Sequence, residues 1–197
     1  MTTTKKLIIA VVALSLALVG VVGGTLAWLS ATSETVTNTF TYGNITIKLE
    51  ETTGVDKGTS REFAGIVPGA AVDKDPTVTV NKTSEKCYVY VLIDNQFGTD
   101  ATYDINASKW EEISTVGTKV LYRYLNDSFN IVDAFSADQV LPVFTKLTFS
   151  SDLTKAHLDA FATPPAKVVT IQAYAHQADN TTQDVADDAA KAWATTP

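Results

Sequence analysis

The segment Cys87-Tyr88-Val89-Tyr90-Val91-Leu92-Ile93 has no polar face. In an extended chain Cys87, Val89, Val91 and Ile93 point one way and Tyr88, Tyr90 and Leu92 the other, which predicts a central strand covered on both sides. It is the best core candidate in the sequence. Around it lie shorter runs. Thr77 to Val80 reads as a short strand, Trp110-Glu111-Glu112-Ile113 as another, and Lys119 to Leu125 alternates, with Leu121 and Leu125 opposite Val120, Tyr122 and Tyr124. Phe129 to Val132, Lys146 to Phe149 and Lys167 to Tyr174 bring the set to about eight to ten strands. Between them, Glu50 to Arg61 is a charged loop rich in Thr and Gly, and Asp94 to Ser108 is polar and turn-rich. Ile66-Val67-Pro68-Gly69 is a turn ahead of the Asp73-Lys74-Asp75-Pro76 break.

Two segments leave the β pattern. Ser151-Asp152 offers a helix cap, and Leu153, Ala156, Ala160 and Phe161 follow at helical spacing until Pro164-Pro165 ends the run. Asp184 to Trp193 places Val185, Ala189 and Trp193 four apart, with Asp187 and Asp188 toward the end where the helix dipole favours acids. A sheet with one apolar face must bury it against another layer. The expected fold class is therefore all-β, a two-sheet jelly-roll-like sandwich over residues 44–197 with one or two short edge helices; a closed barrel is the alternative.

Upstream, Val36 to Tyr42 sets Val36, Phe40 and Tyr42 on one parity and Thr35, Thr37, Thr39 and Thr41 on the other, with Asn38 as the polar interruption. Ile45, Ile47 and Leu49 carry the alternation onward on odd numbers, so the apolar face changes parity across Gly43-Asn44. A straight strand would then turn its second half to water. A tight turn, a bulge, or two half-strands serving different cores would each reconcile the pattern.

The chain of 197 residues is 45% hydrophobic and 19% charged, enough for one substantial core. Lys and Arg number 15 against 22 Asp and Glu, and a balance of -7 argues against a nucleic-acid partner. A single cysteine makes no internal disulfide, so stability must come from packing. At the start, Lys5 and Lys6 precede an uncharged apolar run, Leu7 to Val22, and Gly23-Gly24-Thr25-Leu26-Ala27 places small residues at -3 and -1. Residues 1–27 read as a secretory signal peptide cut between Ala27 and Trp28, although a cut after Ala31 also leaves a small residue at -1. The competing reading is a membrane anchor, since the apolar stretch through Leu29 reaches about 20 residues. The Gly pair suits a protease better than a span. Processing removes two lysines and no acid, taking -7 to -9, and leaves an acidic secreted domain that met the membrane only through its signal peptide.

The residues of reaction chemistry are sparse, and no catalytic, cofactor-binding or metal-ligating residue is predicted. His157 and His176 lie in no spacing that sets two ligands on one face, and read as rim histidines. Asp94, Asp100 and Asp104 share a loop with Gly98 but lack the EF-hand spacing, so a solvated turn outweighs a calcium site. Cys87 alternates with Val89 and Val91 and reads as a small core residue. Asn44, Asn81, Asn106, Asn126 and Asn180 each begin an N-x-S/T triplet, which is frequent by chance in a Thr-rich chain.

One resemblance covers most of the chain. The exit Gly23-Gly24-Thr25-Leu26-Ala27-Trp28-Leu29-Ser30, then Thr39-Phe40-Thr41-Tyr42-Gly43-Asn44-Ile45-Thr46-Ile47-Lys48-Leu49, then Ile66-Val67-Pro68-Gly69, resembles the TasA/camelysin-like family of secreted proteins processed by SipW-type signal peptidases in Gram-positive bacteria. The resemblance implies a jelly-roll domain exported to the biofilm matrix or cell surface, which polymerises head to tail by donor-strand exchange. Its partners would be further copies of itself, and the signal peptidase during export. The residue pattern meets this independently. Processing would free residues 28–43 as an N-terminal arm whose Val36, Phe40 and Tyr42 form an apolar stripe in need of a partner, with Gly43 as the hinge between a neighbour's core and its own. An edge strand folded back on its own molecule is the alternative. Camelysin-type members also bring a metallopeptidase reading, for which the sequence offers no zinc ligands. A monomeric adhesin or carbohydrate-binding module would use Trp110 or the Asp94 to Asp104 loop.

Overall fold

The computed structural model describes residues 3, 5, 44–58 and 60–196. The signal peptide, the cut between Ala27 and Trp28, and the arm with Val36, Phe40, Tyr42 and Gly43 lie outside the described residues. In chain order the strands are β1 (Ile47–Glu50), β2 (Val55–Asp56), β3 (Arg61–Glu62), β4 (Ala71–Asp73), β5 (Thr77–Val80), β6 (Cys87–Asn95) and β7 (Ala101–Tyr103). After these come β8 (Trp110–Val116), β9 (Lys119–Tyr124), β10 (Gln139–Pro142), β11 (Lys146–Phe149) and β12 (Val169–Gln177). Two helices, α1 (Lys155–Ala162) and α2 (Gln183–Ala194), complete the domain.

β6 is the axis of an all-β sandwich, as its two apolar faces require. It is flanked by β12 and β9 in a sheet of order β12-β6-β9-β8, with Val91 opposite Ala173 on one side and Tyr122 on the other. Cys87, Val89, Val91 and Ile93 face Val78, Val80 and Leu141 of the sheet β1-β5-β10, and all of them are buried. Tyr88, Tyr90 and Leu92 face outward beneath Ala186 and Ala190 of α2. Each fully buried Val or Leu side chain contributes about 1.5–3 kcal/mol, so this strand alone carries a large share of the fold.

The sheets β1-β5-β10 and β4-β11-β7 share one bent ladder. Thr77 lies opposite Pro142 and Asp73 opposite Lys146, so the three residues between, on each side, are skipped without a change of register. Pro76 has no N–H to donate, and the ladder breaks there. The bend is bridged by Lys74 N–H to the Thr145 carbonyl (3.0 Å) and Val143 N–H to that of Pro76 (2.9 Å). Beyond it Leu147, Phe149 and Ala101 form a second core with Leu153 and with Phe161 of α1. The turn at Pro68-Gly69 closes through Ala70 N–H to the Val67 carbonyl (3.0 Å), with Gly69 at φ +76°, the left-handed position that glycine fills without strain.

Several expectations need correction. Phe129 to Val132 is a turn with one isolated bridge, Cys87 to Val132; Phe129 and Asn130 have φ of 56° and 64°, which no strand accommodates. The next strand comes later, as β10 at Gln139–Pro142, and neither it nor β4 and β7, three residues each, stood out in the sequence. The Glu50 to Arg61 loop carries the short hairpin β2-β3. The N-cap of α1 is Thr154, not Ser151-Asp152. Helix α2 lies on the outer face of the central sheet, not at its edge, and Asp187 is buried there instead of attending the dipole.

The segment before β4 is tied down by charge. Lys74, 6% exposed, holds both oxygens of Glu51 (2.7 and 2.8 Å) under the Phe63 ring. Asp75 accepts from the backbone and hydroxyl of both Thr52 and Thr53 at 2.5–2.9 Å. Burial alone would raise its pKa, but these four bonds outweigh burial and hold the carboxyl well below the usual range. A carboxylate depressed in the fold stabilises it fully above the unfolded value of about 4, and the contribution is lost as pH falls toward the folded value. Asp75→Ala is expected to cost about 2 kcal/mol at neutral pH and to flatten the loss of stability between about pH 5 and pH 2, measured by urea unfolding across that range.

Candidate functional site

The two flanks of the inter-sheet core differ. On the β8-β10 side Trp110 is 2% exposed, stacks edge-on against Tyr124, and donates its indole N–H to the Pro142 carbonyl at 2.8 Å. That flank is sealed. On the other side β1 and β12 come within 8 Å at their Cα atoms but belong to different sheets, and among the described residues neither pairs with a strand at its second edge. Their inward side chains, Ile47 and Leu49 of β1 and Val169, Ile171, Ala173 and Ala175 of β12, are only partly buried, whereas Val78, Val80, Val89 and Val91 beside them are at 0%.

The exposed edges are not equivalent. β1 has four residues and carries Lys48 and Glu50; β8 carries Glu111 and Glu112 and a bulge between Glu112 and Ser114; β10 has four residues and ends in Pro142. Charge, bulges, brevity and proline are the usual protections of an edge. β12 has none of them. It is nine residues, Val-Thr-Ile-Gln-Ala-Tyr-Ala-His-Gln, with no acid and no Lys or Arg. Its even-numbered side of the backbone is turned to β6, as the bonds Gln96 N–H to the Val168 carbonyl and Ala178 N–H to that of Lys86 show. The N–H and C=O groups of Val169, Ile171, Ala173, Ala175 and Gln177 therefore point along the free edge, and the side chains of the first four face the half-covered core.

The other residues singled out in the sequence have structural roles. Cys87 packs in the core, and burial pushes its thiol up to about 11, which disfavours the reactive thiolate. His157 Nδ1 accepts from Thr154 N–H (3.3 Å) at the start of α1, and His176 Nδ1 pairs with the Tyr174 hydroxyl (2.9 Å). Asp94, Asp100 and Asp104 are not brought together. Asp104 accepts from Thr145 and Lys146 (2.7–2.8 Å), and Asp94 from the Thr118 hydroxyl. Among the described residues no three His, Cys, Asp or Glu side chains cluster as metal ligands, and no helix is long and apolar enough to cross a membrane. Asn81, Asn106 and Asn126 each accept at Oδ1 from the N–H two residues on (2.9–3.0 Å), so three of the five N-x-S/T triplets are turn chemistry. Sequence reasoning missed the Arg123 and Asp187 pair beneath α2. Two opposite charges at otherwise inward-reading positions of β9 and α2 were the available signal.

No curated protein and no solved structure matches the chain. Residues 2–109, more than half of the 197, match the family model described as camelysin metallo-endopeptidase. The match takes in β1 and runs through β6, the strand on which the sandwich is built, and by it the protein belongs to the TasA/camelysin family.

Proposed function

We propose that the protein is a secreted structural subunit that polymerises head to tail into extracellular matrix fibres, the arm 28–43 of one copy adding to the β12 edge of the next. The observation that carries this reading is that edge: nine uncharged residues whose outward backbone groups meet no strand among the described residues, beside a core left half-covered. A donated strand would satisfy the N–H and C=O groups of Val169 through Gln177, and its Val36, Phe40 and Tyr42 would cover Ile171 and Ala173. A head-to-tail contact that does not close on itself gives an open filament. Deleting residues 28–42 should leave a soluble folded domain that forms no filaments in negative-stain micrographs. Filaments from the truncated chain would reject the reading, as would a processed chain that stays monomeric at high concentration.

The family's description favours a second reading, a metal-dependent endopeptidase. The described residues do not fit a zinc site, since His157 and His176 are each engaged in their own element and no third ligand stands near either. Purified protein should leave casein intact with or without added zinc. Hydrolysis that a chelator abolishes would overturn the structural reading.

A further inference from the structure

Helix α2 ends at Ala194, and beyond it the outer face of the central sheet turns polar. A cavity of about 340 Å³ opens there, at the lower end of the range for small-molecule sites. Leu92 and the indole of Trp193 line it, together with Asp94, Lys119, Thr170 and Gln172. Strand register brings the polar groups together: Thr170 lies opposite Asp94, Asp94 opposite Lys119, and Gln172 opposite Leu92. Opposite charges facing each other across strands ordinarily close into a pair. Asp94 and Lys119 do not; Asp94 Oδ1 takes the Thr118 hydroxyl at 2.5 Å instead. Among the described residues the Lys119 ammonium, the Gln172 amide and the Thr170 hydroxyl make no hydrogen bond, so donors and acceptors with unspent capacity converge on one space. The indole is held in place by its stacking on Tyr174, at 5.2 Å and 19°.

We propose that this cavity binds a neutral saccharide of one or two pyranose rings. One acid and one base leave the site without net charge, which disfavours anionic and cationic ligands alike. A pyranose offers an apolar C–H face suited to the Leu92 side chain and the indole that line the space, and a rim of hydroxyls that both donate and accept. Gln172 and Thr170 do both, Asp94 accepts and Lys119 donates. The site is separate from the β12 edge, since the even-numbered side chains of β12 point to the opposite face of the sheet from Ile171 and Ala173.

The test is calorimetric titration of the full-length purified protein with cellobiose, maltose, N,N′-diacetylchitobiose and, as a charged control, glycine betaine, with tryptophan fluorescence as a second readout. At least one of the three sugars should bind saturably with a Kd of about 1 mM, an affinity that a few hydrogen bonds and a small apolar contact supply. Gln172→Ala and Asp94→Ala should each weaken that binding about tenfold. Both keep the fold because their side chains are not in the core, which unchanged thermal unfolding would verify. No saturable binding of any of the three sugars, binding that persists in both variants, or a response confined to the zwitterion glycine betaine would each overturn the assignment.

Discussion

Asp187→Ala is expected to destabilise the domain by about 3 kcal/mol, the cost of leaving a buried guanidinium without its main counter-charge. Arg123 and Asp187 are 8% and 9% exposed and pair directly, Arg123 Nη1 to Asp187 Oδ2, while Nη2 reaches the half-exposed Glu111. The Tyr90 hydroxyl donates to Asp187 Oδ1 at 2.8 Å, and burial together with that carboxylate pushes the phenol well above its ordinary value, so it remains a donor. These bonds tie α2 to β6 and β9, elements far apart in sequence. In a domain of this size the loss amounts to a drop in Tm of about 6–12 °C, read by thermal or urea unfolding. Tyr90→Phe removes one bond and costs about 1 kcal/mol. The triple change Arg123→Met, Asp187→Leu and Tyr90→Phe should return to within about 1 kcal/mol of the parent, because the buried Arg123 Nε lacks a partner, the desolvation of both ions would be relieved, and no phenol is left without its acceptor. An Asp187→Ala protein as stable as the parent would show that apolar packing of Ala186 and Ala190 holds the helix by itself.

This pair also shows where the sequence stops being legible. β5, β6, β8, β9, β11 and β12 could be read from runs of β-branched and aromatic residues; β5 and β11 do bury alternate residues, and the two-sided apolar run of β6 announced a layer on each of its faces. What the second layer was could not be read. The 3.6-residue pattern of α2 gave a helix, but its place over Tyr88 and Tyr90 depends on Asp187 meeting Arg123 across 64 positions of sequence. Phe129 misled for a related reason. A β-favouring residue beside Ile131 and Val132 suggests a strand, yet Asn126 takes Ser128 N–H at Oδ1 and donates to the Ile131 carbonyl, and the chain turns with Phe129 86% exposed. The candidate site divides the same way. The arm's apolar stripe reads in the sequence as a strand needing a partner and lies outside the described residues, whereas the edge proposed to receive it is set by which strands fail to pair among the described residues, a property of the whole topology.

Ala173→Pro is expected to abolish filament formation while leaving the domain folded. Ala173 sits at the middle of β12, its N–H on the free-edge side, so proline removes a group that a donated strand would use and none that β6 uses. Gln172, which precedes it, is already extended, the conformation that a following proline requires. The expected cost to unfolding free energy is about 1 kcal/mol. Gln172→Pro, one position away, is the opposite case. Its N–H lies on the β6 side, and its removal from the middle of the β12–β6 ladder should cost about 3 kcal/mol or more. If the arm adds at this edge, electron microscopy and unfolding curves must separate the two variants: one folded and unable to polymerise, the other destabilised. Filaments from Ala173→Pro at parental yield would move the acceptor to β1, whose four residues and two charges make it the weaker template. The alternation of a strand thus makes neighbouring residues answer different questions, one about assembly and one about the fold.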